Sequence, residues 1–356
     1  MDSPLTPQVL ADPVALTRAL VDIESVSGNE REIADAVFHA LVPLEHLTVQ
    51  RIGHTVIART RQGATQRVVL AGHLDTVPLA DNFPSTMDEK RIYGCGTADM
   101  KSGAALALHL AATAPETRFD VTYFFYECEE VESARNGLNK VAAAQPELLE
   151  ADFAVLLEPT FGVVEAGCQG TLRAVATVPG RRAHSARSWL GHNAIHASAE
   201  LLTRLHDYSA REVEIDGCLY REGLNAVRIG GGVAGNVIPD RCEVEVNFRF
   251  APDRSEEEAA RHVKEVLGGF EVEITDRAGG ALPGLNAEPA RAFVAAVGSA
   301  PRAKLGWTDV SRFAALGIPA LNYGPGDPNL AHTREEHVEI EKIEAGAVVL
   351  RRWLVG

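Results

Sequence analysis

The sequence lacks the features by which several large protein classes are identified. Its 356 residues contain no run of 18 apolar residues, so no membrane-spanning helix and no membrane partner are expected. Basic residues are the minority, 34 against 49 acidic ones, and the resulting net charge of −15 argues against a nucleic-acid partner. The N-terminal segment has no basic cluster followed by an apolar stretch, so we expect no secretory signal.

Cysteine is also scarce, and the sequence contains no Cys-x-x-Cys pair. The five cysteines are odd in number and scattered, which predicts free thiols and a reducing cytoplasm rather than a disulfide framework. No Gly-x-Ser-x-Gly segment and no Walker A segment occur, so neither a serine-hydrolase elbow nor a P-loop is supported. These absences leave a globular protein whose chemistry rests on other side chains.

The composition is that of a chain with a sizeable core, since 46% of its residues are hydrophobic and 23% charged. In the first half, apolar runs of strand length at 67–71, 121–126 and 152–157 alternate with helical patterns at 29–42 and 100–113. Near-continuous apolar strands are typical of a sheet that is covered on both faces. We therefore predict an α/β fold with a mixed, mainly parallel sheet and helices on both faces.

The middle of the chain has a different pattern, with strands that alternate apolar and polar residues. Its predicted order is β-α-β-β-α-β, which is typical of a ferredoxin-like α+β domain. The segments are 171–178, 192–208, 225–231, 241–250, 255–267 and 270–276. We predict that residues 170–283 form an inserted domain and that residues 1–169 and 284–356 form the main domain.

Polar residues follow the apolar strands of the main domain at the points where those strands end. In an open α/β sheet, ligands bind beyond the carboxyl ends of the strands, so these side chains are expected to converge. Asp99 precedes the 100–113 helix and belongs to the same edge. The set is His73 and Asp75, Asp99, Glu129 and Glu130, Glu158, and His332.

Carboxylates packed together raise one another's pKa, and a bound divalent cation removes that conflict. Imidazole with carboxylate suits zinc, with cobalt or manganese as substitutes. Even two histidines and three of these five carboxylates exceed what one catalytic zinc takes from protein. They suit two zincs about 3.5–4 Å apart with one bridging carboxylate.

Each of these residues also has an ordinary structural interpretation when it is considered alone. Asp99 is a candidate N-cap, Glu129 and Glu130 a candidate solvated charge run, and Glu158 a candidate turn residue. A single histidine after a strand is usually a polar loop residue, although the His-x-Asp spacing of His73 and Asp75 favours an oriented metal ligand. The shared placement of the set favours a metal site.

Eight segments are similar to motifs of one enzyme family: AGHLDTVP, YGCGTADMKSG, CEE, LLEP, AHS, NVIPD, NFRF and AHTREEH. Together they span nearly the whole chain. The chain resembles the two-zinc metallopeptidase and deacylase family that includes aminoacylases, acetylornithine deacetylases and glutamate carboxypeptidases. The segments EAGCQG, RAHSARSWLG and GWTDVSRF resemble its branch that removes succinyl groups.

This resemblance implies a role for each polar residue of the main domain. Asp99 would bridge two metals, His73 and Glu158 would complete one site, and Glu130 and His332 would complete the other. Asp75 would orient His73, and Glu129 would be the general base.

The resemblance also implies roles for the inserted domain, which would serve as lid and dimerisation domain. His184 would reach the active site of the partner subunit in a homodimer and polarise the scissile carbonyl. Asn236 and Arg249 match substrate-binding positions, and Thr308 and Arg187 are further candidates. Many succinyl-removing relatives carry arginine where this chain has Gln169, so one carboxylate contact is expected at another residue, such as Arg187.

The implied function is hydrolysis of a small anionic N-acyl amino acid in a bacterial cytoplasm. The expected substrate is N-succinyl-LL-2,6-diaminopimelate, which would give succinate and LL-2,6-diaminopimelate. Deacylation of N-acetylornithine or of another N-acyl amino acid, and dipeptide hydrolysis, remain alternatives, because the metal cluster handles the amide and not the side chain. A non-catalytic binding protein of the same fold would lack a ligand or the base, and none is missing.

Overall fold

The structure is a computed structural model, and it describes residues 4–356. The helices are α1 Pro7–Ala11, α2 Pro13–Val21, α3 Arg31–Leu41, α4 Ser102–Thr113, α5 Gly137–Ala144, α6 Ala194–His206, α7 Glu256–Val266, α8 Glu288–Val297, α9 Val310–Ala315 and α10 Ile340–Val355. The strands are β1 Thr48–Ile52, β2 Thr55–Arg59, β3 Arg67–His73, β4 Thr86–Met87, β5 Arg91–Tyr93, β6 Asp120–Tyr126, β7 Phe153–Leu156, β8 Glu165–Ala166, β9 Gly170–Pro179, β10 Ala183–His184, β11 Glu212–Ile215, β12 Cys218–Arg221, β13 Gly223–Gly231, β14 Val237–Ile238, β15 Arg241–Phe250, β16 Glu271–Ala278, β17 Arg302–Ala303, β18 Ala320–Asn322 and β19 His337–Glu339.

An eight-stranded sheet has the order β1-β2-β6-β3-β7-β18-β8-β17. Its centre, β6-β3-β7-β18, is parallel, whereas β1, β2 and β8 pair antiparallel with their neighbours. Every residue of β6 is buried, because both faces of the sheet are covered. The prediction of a mixed α/β fold is therefore confirmed, with parallel pairing concentrated in the four strands that carry the predicted site.

Contacts divide the chain into two compact units. Of the described residues, the first unit comprises 4–166 together with Pro283–Arg302 and Thr308–Gly356, and the second comprises Gly167–Leu282 and Ala303–Trp307. In the first unit, α4 packs on β3 and β6, and α2 and α10 pack on α4. Asp12 caps α2, because its side chain accepts hydrogen bonds from the backbone N–H groups of Val14 and Ala15.

The second unit is built on a four-stranded antiparallel sheet with the order β13-β15-β9-β16. With α6 after β9 and α7 after β15, its elements follow the ferredoxin-like β-α-β-β-α-β order. Along β15, buried residues alternate with more exposed ones, and the buried set packs in a core with residues of α6 and α7. The other face of this sheet carries its polar side chains.

All five cysteines lie in the described range, and each is a buried free thiol. Among the described residues, no helix is both long enough and apolar enough to cross a membrane.

Candidate metal centre

The strand ends of the first unit bring the predicted ligands to one edge of the sheet. His73 is the last residue of β3, Glu158 lies two residues after β7, and Glu129 lies three residues after β6. Asp99 lies in an irregular turn over Thr97–Lys101 that leads into α4. Its side chain caps no helix, so the N-cap interpretation of Asp99 is wrong.

Three groups of potential ligands form at this edge: two of them share Asp99, and the third consists of His73, Glu129 and Glu130. His73, Asp99 and Glu158 each offer one ligand atom within 4.8 Å of the others. Asp99, Glu130 and His332 do the same. The donors are imidazole nitrogen and carboxylate oxygen, which suit zinc, and a shared carboxylate is the arrangement of a two-metal site. The residues present therefore fit a pair of divalent cations.

Two glycines permit the close approach of the segments that form the centre. A Cβ on Gly103, at the start of α4, would lie 2.0 Å from the carbonyl oxygen of Leu157, the residue before Glu158. A Cβ on Gly326 would lie 2.3 Å from the carbonyl oxygen of Ala98, the residue before Asp99. Side chains at either position would push these segments apart, so glycine is required here for close backbone packing.

The ring of His73 is buried and oriented by hydrogen bonds on both sides. Its Nδ1 lies 3.0 Å from the backbone carbonyl oxygen of Asp75, an acceptor, so Nδ1 carries a proton and Nε2 faces the centre. Nε2 lies 3.2 Å from Asp99 Oδ1. Burial lowers the pKa of His73, but the hydrogen bond to Asp99 and the charges of Asp75, Asp99 and Glu129 outweigh burial and raise it well above its ordinary value.

Asp75 is fully buried, and its carboxylate accepts hydrogen bonds from groups other than His73, the residue that it was predicted to orient. Its Oδ1 accepts a hydrogen bond from the backbone N–H of Glu129 (3.0 Å), and its Oδ2 accepts one from that of Glu130 (3.1 Å). Ser27 Oγ donates to the same Oδ2 at 2.7 Å. Asp75 therefore fixes the turn that carries Glu129 and Glu130, in addition to orienting His73. The role of Ser27 was missed, because an isolated serine before a helix gives no signal of a distant carboxylate.

Glu129 occupies an acidic environment. Burial, followed by the charges of Asp309 and Glu158, raises the pKa of Glu129 well above its ordinary value, while His73 opposes the shift. Asp309 is itself fully buried and was not singled out from the sequence, although its neighbour Thr308 was. A bound cation would stabilise the charged form of Glu129 and make it available as a base.

His332 completes the second group. Its Nε2 lies 2.8 Å from Glu130 Oε1 and 3.5 Å from Asp99 Oδ2. Contacts with Asp99 and Glu130 raise the pKa of His332 to about 10. Its backbone has φ 63°, in the left-handed region that residues with a side chain rarely adopt, and such conformations concentrate at functional sites.

Glu336 supports the centre and was not assigned a role from the sequence. Its Oε1 accepts hydrogen bonds from the backbone N–H groups of Ala98 (2.9 Å) and Asp99 (3.0 Å), and its Oε2 accepts one from Gly96 (3.0 Å). Burial raises the pKa of Glu336 to about 7, although these three N–H donors oppose the shift. Glu336 lies four residues after His332 in the segment AHTREEH, and this position is the feature of the sequence that could have indicated its role.

The remaining predicted residues do not belong to these groups of potential ligands. In the second unit, His184 is exposed, and its neighbour Ser185 donates a backbone hydrogen bond to the carbonyl oxygen of Asn236 (2.9 Å). Arg187 is exposed in the turn that follows His184, and Arg249 is half-buried on β15. Thr308, in the first unit, is buried, and its hydroxyl donates to Asn322 Oδ1 at 2.8 Å.

Comparison with known proteins gives the family. The family model for peptidase family M20/M25/M40 matches residues 69–355, and the chain therefore belongs to this family. A Mycobacterium tuberculosis protein that carries the name of a succinyl-diaminopimelate desuccinylase is 58% identical over 97% of this chain and 98% of its own length. The succinyl-diaminopimelate desuccinylase of Corynebacterium glutamicum is 51% identical over 99% of this chain and 100% of its own. These matches confirm the resemblance on which the family prediction was based.

The matches also include a more distant relative and solved structures of the same fold. An acetylornithine deacetylase of Myxococcus xanthus is 28% identical over 87% of this chain and 85% of its own. A tripeptidase structure from Staphylococcus aureus superposes with a TM-score of 0.77 at 22% identity and covers 98% of each chain. A dinuclear metal-binding peptidase structure from Bacillus subtilis gives 0.69 at 15% identity over 96% of each chain. At these identities the structures establish the fold alone.

Proposed function

We propose that this chain is a two-metal amidohydrolase that cleaves N-succinyl-LL-2,6-diaminopimelate to succinate and LL-2,6-diaminopimelate. The observation that supports two metals is the position of Asp99, which belongs to two of the three groups of potential ligands at this edge. The substrate assignment is supported by the two relatives that match over nearly the whole chain and carry the name of that activity. The chain would act in the bacterial cytoplasm, where its thiols stay reduced.

The metal ligands in this proposal are His73 and Glu158 for one cation, Glu130 and His332 for the other, and Asp99 between them. Zinc fits the donor set best, and cobalt or manganese would substitute. Two bound cations would polarise the amide carbonyl and lower the pKa of an attacking water. Asp75 would hold His73 and the Glu129–Glu130 turn in position through the hydrogen bonds described above.

Glu129 would act as the general base and then as the general acid. It would take a proton from water as the water oxygen bonds to the amide carbon. It would then give that proton to the nitrogen as the carbon–nitrogen bond breaks, which releases the amine. Its elevated pKa suits the second step, because the group must bind a proton and release it within one turnover.

His184 would stabilise the negative charge that develops on the carbonyl oxygen. The backbone N–H of Ala186 donates to His184 Nδ1 at 3.1 Å, so Nδ1 is unprotonated and the ring proton is on Nε2. The Nε2–H group would then be able to donate a hydrogen bond to the negatively charged carbonyl oxygen. Asn236, whose backbone lies beside Ser185, would bind substrate on the same surface, and Arg187 and Thr308 remain further candidates.

A homodimer formed through the second unit would bring His184 to the site of the partner. Within the described residues β13 pairs only with β15, so it is an edge strand of its sheet. Val227 and Ile229 on this strand are about half exposed, at 57% and 48%. An exposed apolar edge strand is suited to pairing with another chain, which supports this assembly.

A substrate panel tests the proposed function. Zinc-loaded protein should hydrolyse N-succinyl-LL-diaminopimelate with a kcat/KM at least about tenfold above that for N-acetylornithine or simple dipeptides, because one lost charged hydrogen bond has this effect. Equal kcat/KM for the succinyl substrate and N-acetylornithine would instead make the chain a general deacylase. Preference for N-acetylornithine would make the more distant M. xanthus relative the better guide.

A further inference from the structure

Glu30 is a buried carboxylate at the start of α3 that does not cap its own helix. An acidic side chain at this position often accepts hydrogen bonds from the first N–H groups of the helix. Glu30 is the N-cap residue of α3, but its side chain makes no such bond. The residue is fully buried, and burial of a carboxylate is costly unless hydrogen bonds compensate for it. The partners of Glu30 therefore indicate why a carboxylate is present here.

The main partner of Glu30 lies on the loop that carries Glu129. Glu30 Oε1 accepts a hydrogen bond from the backbone N–H of Cys128 (3.2 Å) and another from the Cys128 thiol (3.2 Å). It also accepts one from the backbone N–H of Gly28 (2.7 Å), two residues before Glu30. One oxygen thus connects the segment before α3 to the residue that directly precedes Glu129.

Cys128 has an unusual backbone conformation that this contact stabilises. Its φ is 56°, in the left-handed region that is unfavourable for residues with a side chain. Such a conformation persists only where the surrounding contacts hold it. Because the N–H and the thiol of Cys128 donate to the same oxygen, Glu30 restrains both the backbone and the side chain of this residue.

Glu30 and Asp75 together accept three consecutive N–H groups. Glu30 accepts that of Cys128, and Asp75 accepts those of Glu129 and Glu130. Successive backbone N–H groups beside a left-handed residue tend to converge, and anions occupy the concavity that they form. In this turn the anions are two buried side chains of the protein itself.

We propose that Glu30 is a positioning residue for Glu129, and that it acts by holding Cys128 in the left-handed conformation. The inference rests on the proposed function, because it takes Glu129 as the general base. Glu30 itself contacts neither substrate nor metal in this proposal. Its loss should therefore lower the rate of the chemical step and leave substrate binding nearly unchanged.

Glu30→Ala removes the acceptor, whereas Glu30→Gln keeps it. All three hydrogen bonds are accepted by Oε1, and Oε2 makes none among the described residues, so an amide oxygen can replace Oε1. At saturating zinc, Glu30→Ala should lower kcat by about 10–100-fold and leave KM within about threefold, because a displaced base affects mainly the transition state. Glu30→Gln should keep kcat within about threefold of the parental value.

Glu127→Ala is the matched control, since Glu127 is also a buried carboxylate and directly precedes Cys128. Its Oε1 accepts a hydrogen bond from the backbone N–H of His54 (2.9 Å) and pairs with Lys140 Nζ (3.0 Å), so these contacts lead away from the turn. Both alanine variants should lower the melting temperature, but only Glu30→Ala should lower kcat. A similar loss of kcat in both would attribute the effect to stability and overturn the positioning role.

Two substitutions of Cys128 test the conformation while Glu30 stays in place. Valine is strongly disfavoured at φ 56° because it is branched at Cβ, whereas glycine adopts this angle freely. Cys128→Val should therefore lower kcat at least about tenfold below that of Cys128→Gly. Equal kcat in the two variants would show that the left-handed conformation does not position the base.

Hydrogen exchange followed by mass spectrometry tests the contact without substrate. A peptide covering residues 127–132 should exchange at least about fivefold faster in Glu30→Ala than in the parent, and Glu30→Gln should resemble the parent. If the parent hydrolyses none of the N-acyl substrates, the proposed function fails, and exchange still decides whether Glu30 holds the turn. Parental exchange in Glu30→Ala, or a kcat as low in Glu30→Gln as in Glu30→Ala, would overturn the inference.

Discussion

Glu129 differs from the glutamates on either side of it in what surrounds its carboxyl group. Glu127 is 3.0 Å from Lys140 Nζ, and Glu130 is 2.8 Å from His332 Nε2. Among the described residues, the carboxyl oxygens of Glu129 form neither a hydrogen bond nor an ion pair. A carboxyl group without a fixed partner beside two potential metal positions is free to exchange a proton with water. This difference supports Glu129, rather than Glu127 or Glu130, as the proposed base.

Glu129→Gln is expected to keep the metals and lose turnover. The amide preserves size and polarity but cannot accept the proton, so kcat should fall by about 10²–10⁴-fold, while zinc content stays at the parental value. Glu132→Gln is the control, because Glu132 lies three residues away on the same segment and is exposed. Steady-state kinetics and elemental analysis on the same preparations check both. Near-parental kcat in Glu129→Gln would move the base to another carboxylate.

The residues at the strand ends were predictable from sequence, whereas those that support them were not. Apolar strands lead directly to His73, Glu129, Glu130 and Glu158. Since the carboxyl ends of parallel strands lie at one edge of the sheet, the conformation of the connecting loops does not have to be known. The support of Asp75 for the Glu129–Glu130 turn depends on backbone N–H groups, which every residue has and which leave no mark in a sequence.

At the scale of elements, the turn over Thr97–Lys101 depends on Glu336. Its carboxylate accepts hydrogen bonds from two N–H groups of this turn and from that of Gly96 just before it, and its backbone carbonyl oxygen accepts a fourth from Gly94 (3.0 Å). The segment that supplies His332 therefore also fixes the segment that supplies Asp99. We expect Glu336 to position Asp99, the proposed shared ligand, so its loss should affect metal affinity before it affects the rate of the chemical step.

Glu336→Gln is expected to weaken metal binding by about 10–100-fold, which is the usual cost of removing a residue that orients a ligand. The amide has one acceptor oxygen, so the N–H group of Gly96 or those of Ala98 and Asp99 lose their partner. Competition with a chromophoric zinc chelator measures the affinity, and the parent should saturate at two zincs per chain. Glu335→Gln, at the exposed neighbouring position, is the control. Unchanged affinity in Glu336→Gln would show that the turn holds its shape without the carboxylate.

Most long elements were predictable because their periodicity is strong. The predicted helix at 255–267 is α7, Glu256–Val266, with a capping box between Ser255 and Glu258, and the predicted strand at 241–250 is β15. The hairpin of β11 and β12 and the small sheet of β4, β5 and β19 were not anticipated, because their strands have two to four residues. Runs this short carry too few alternations to separate them from loops.

At the scale of the whole molecule, the proposed reaction needs residues from both units. All the proposed metal ligands and Glu129 belong to the first unit, whereas His184 and Arg249 belong to the second. In the proposed homodimer, His184 of one subunit serves the site built on the first unit of the other. Each active site would then be incomplete in an isolated chain, and activity would depend on assembly.

Complementation between two inactive variants tests this dependence. Glu129→Gln lacks the base and His184→Ala lacks the oxyanion donor, so each homodimer should be nearly inactive. After subunit exchange, a mixed dimer holds one site that combines an intact Glu129 with an intact His184 from its partner. Random exchange makes half of the dimers mixed, and each mixed dimer has one intact site of two. Activity should therefore recover to about a quarter of the parental value.

Exchange is verified with differently tagged subunits. A mixture of Glu132→Gln with Glu129→Gln shows how much activity remains when active subunits are only diluted by inactive ones. Verified exchange without recovery would place His184 in the site of its own subunit or outside the reaction, because a residue acting in trans has no other route to restore the mixed site.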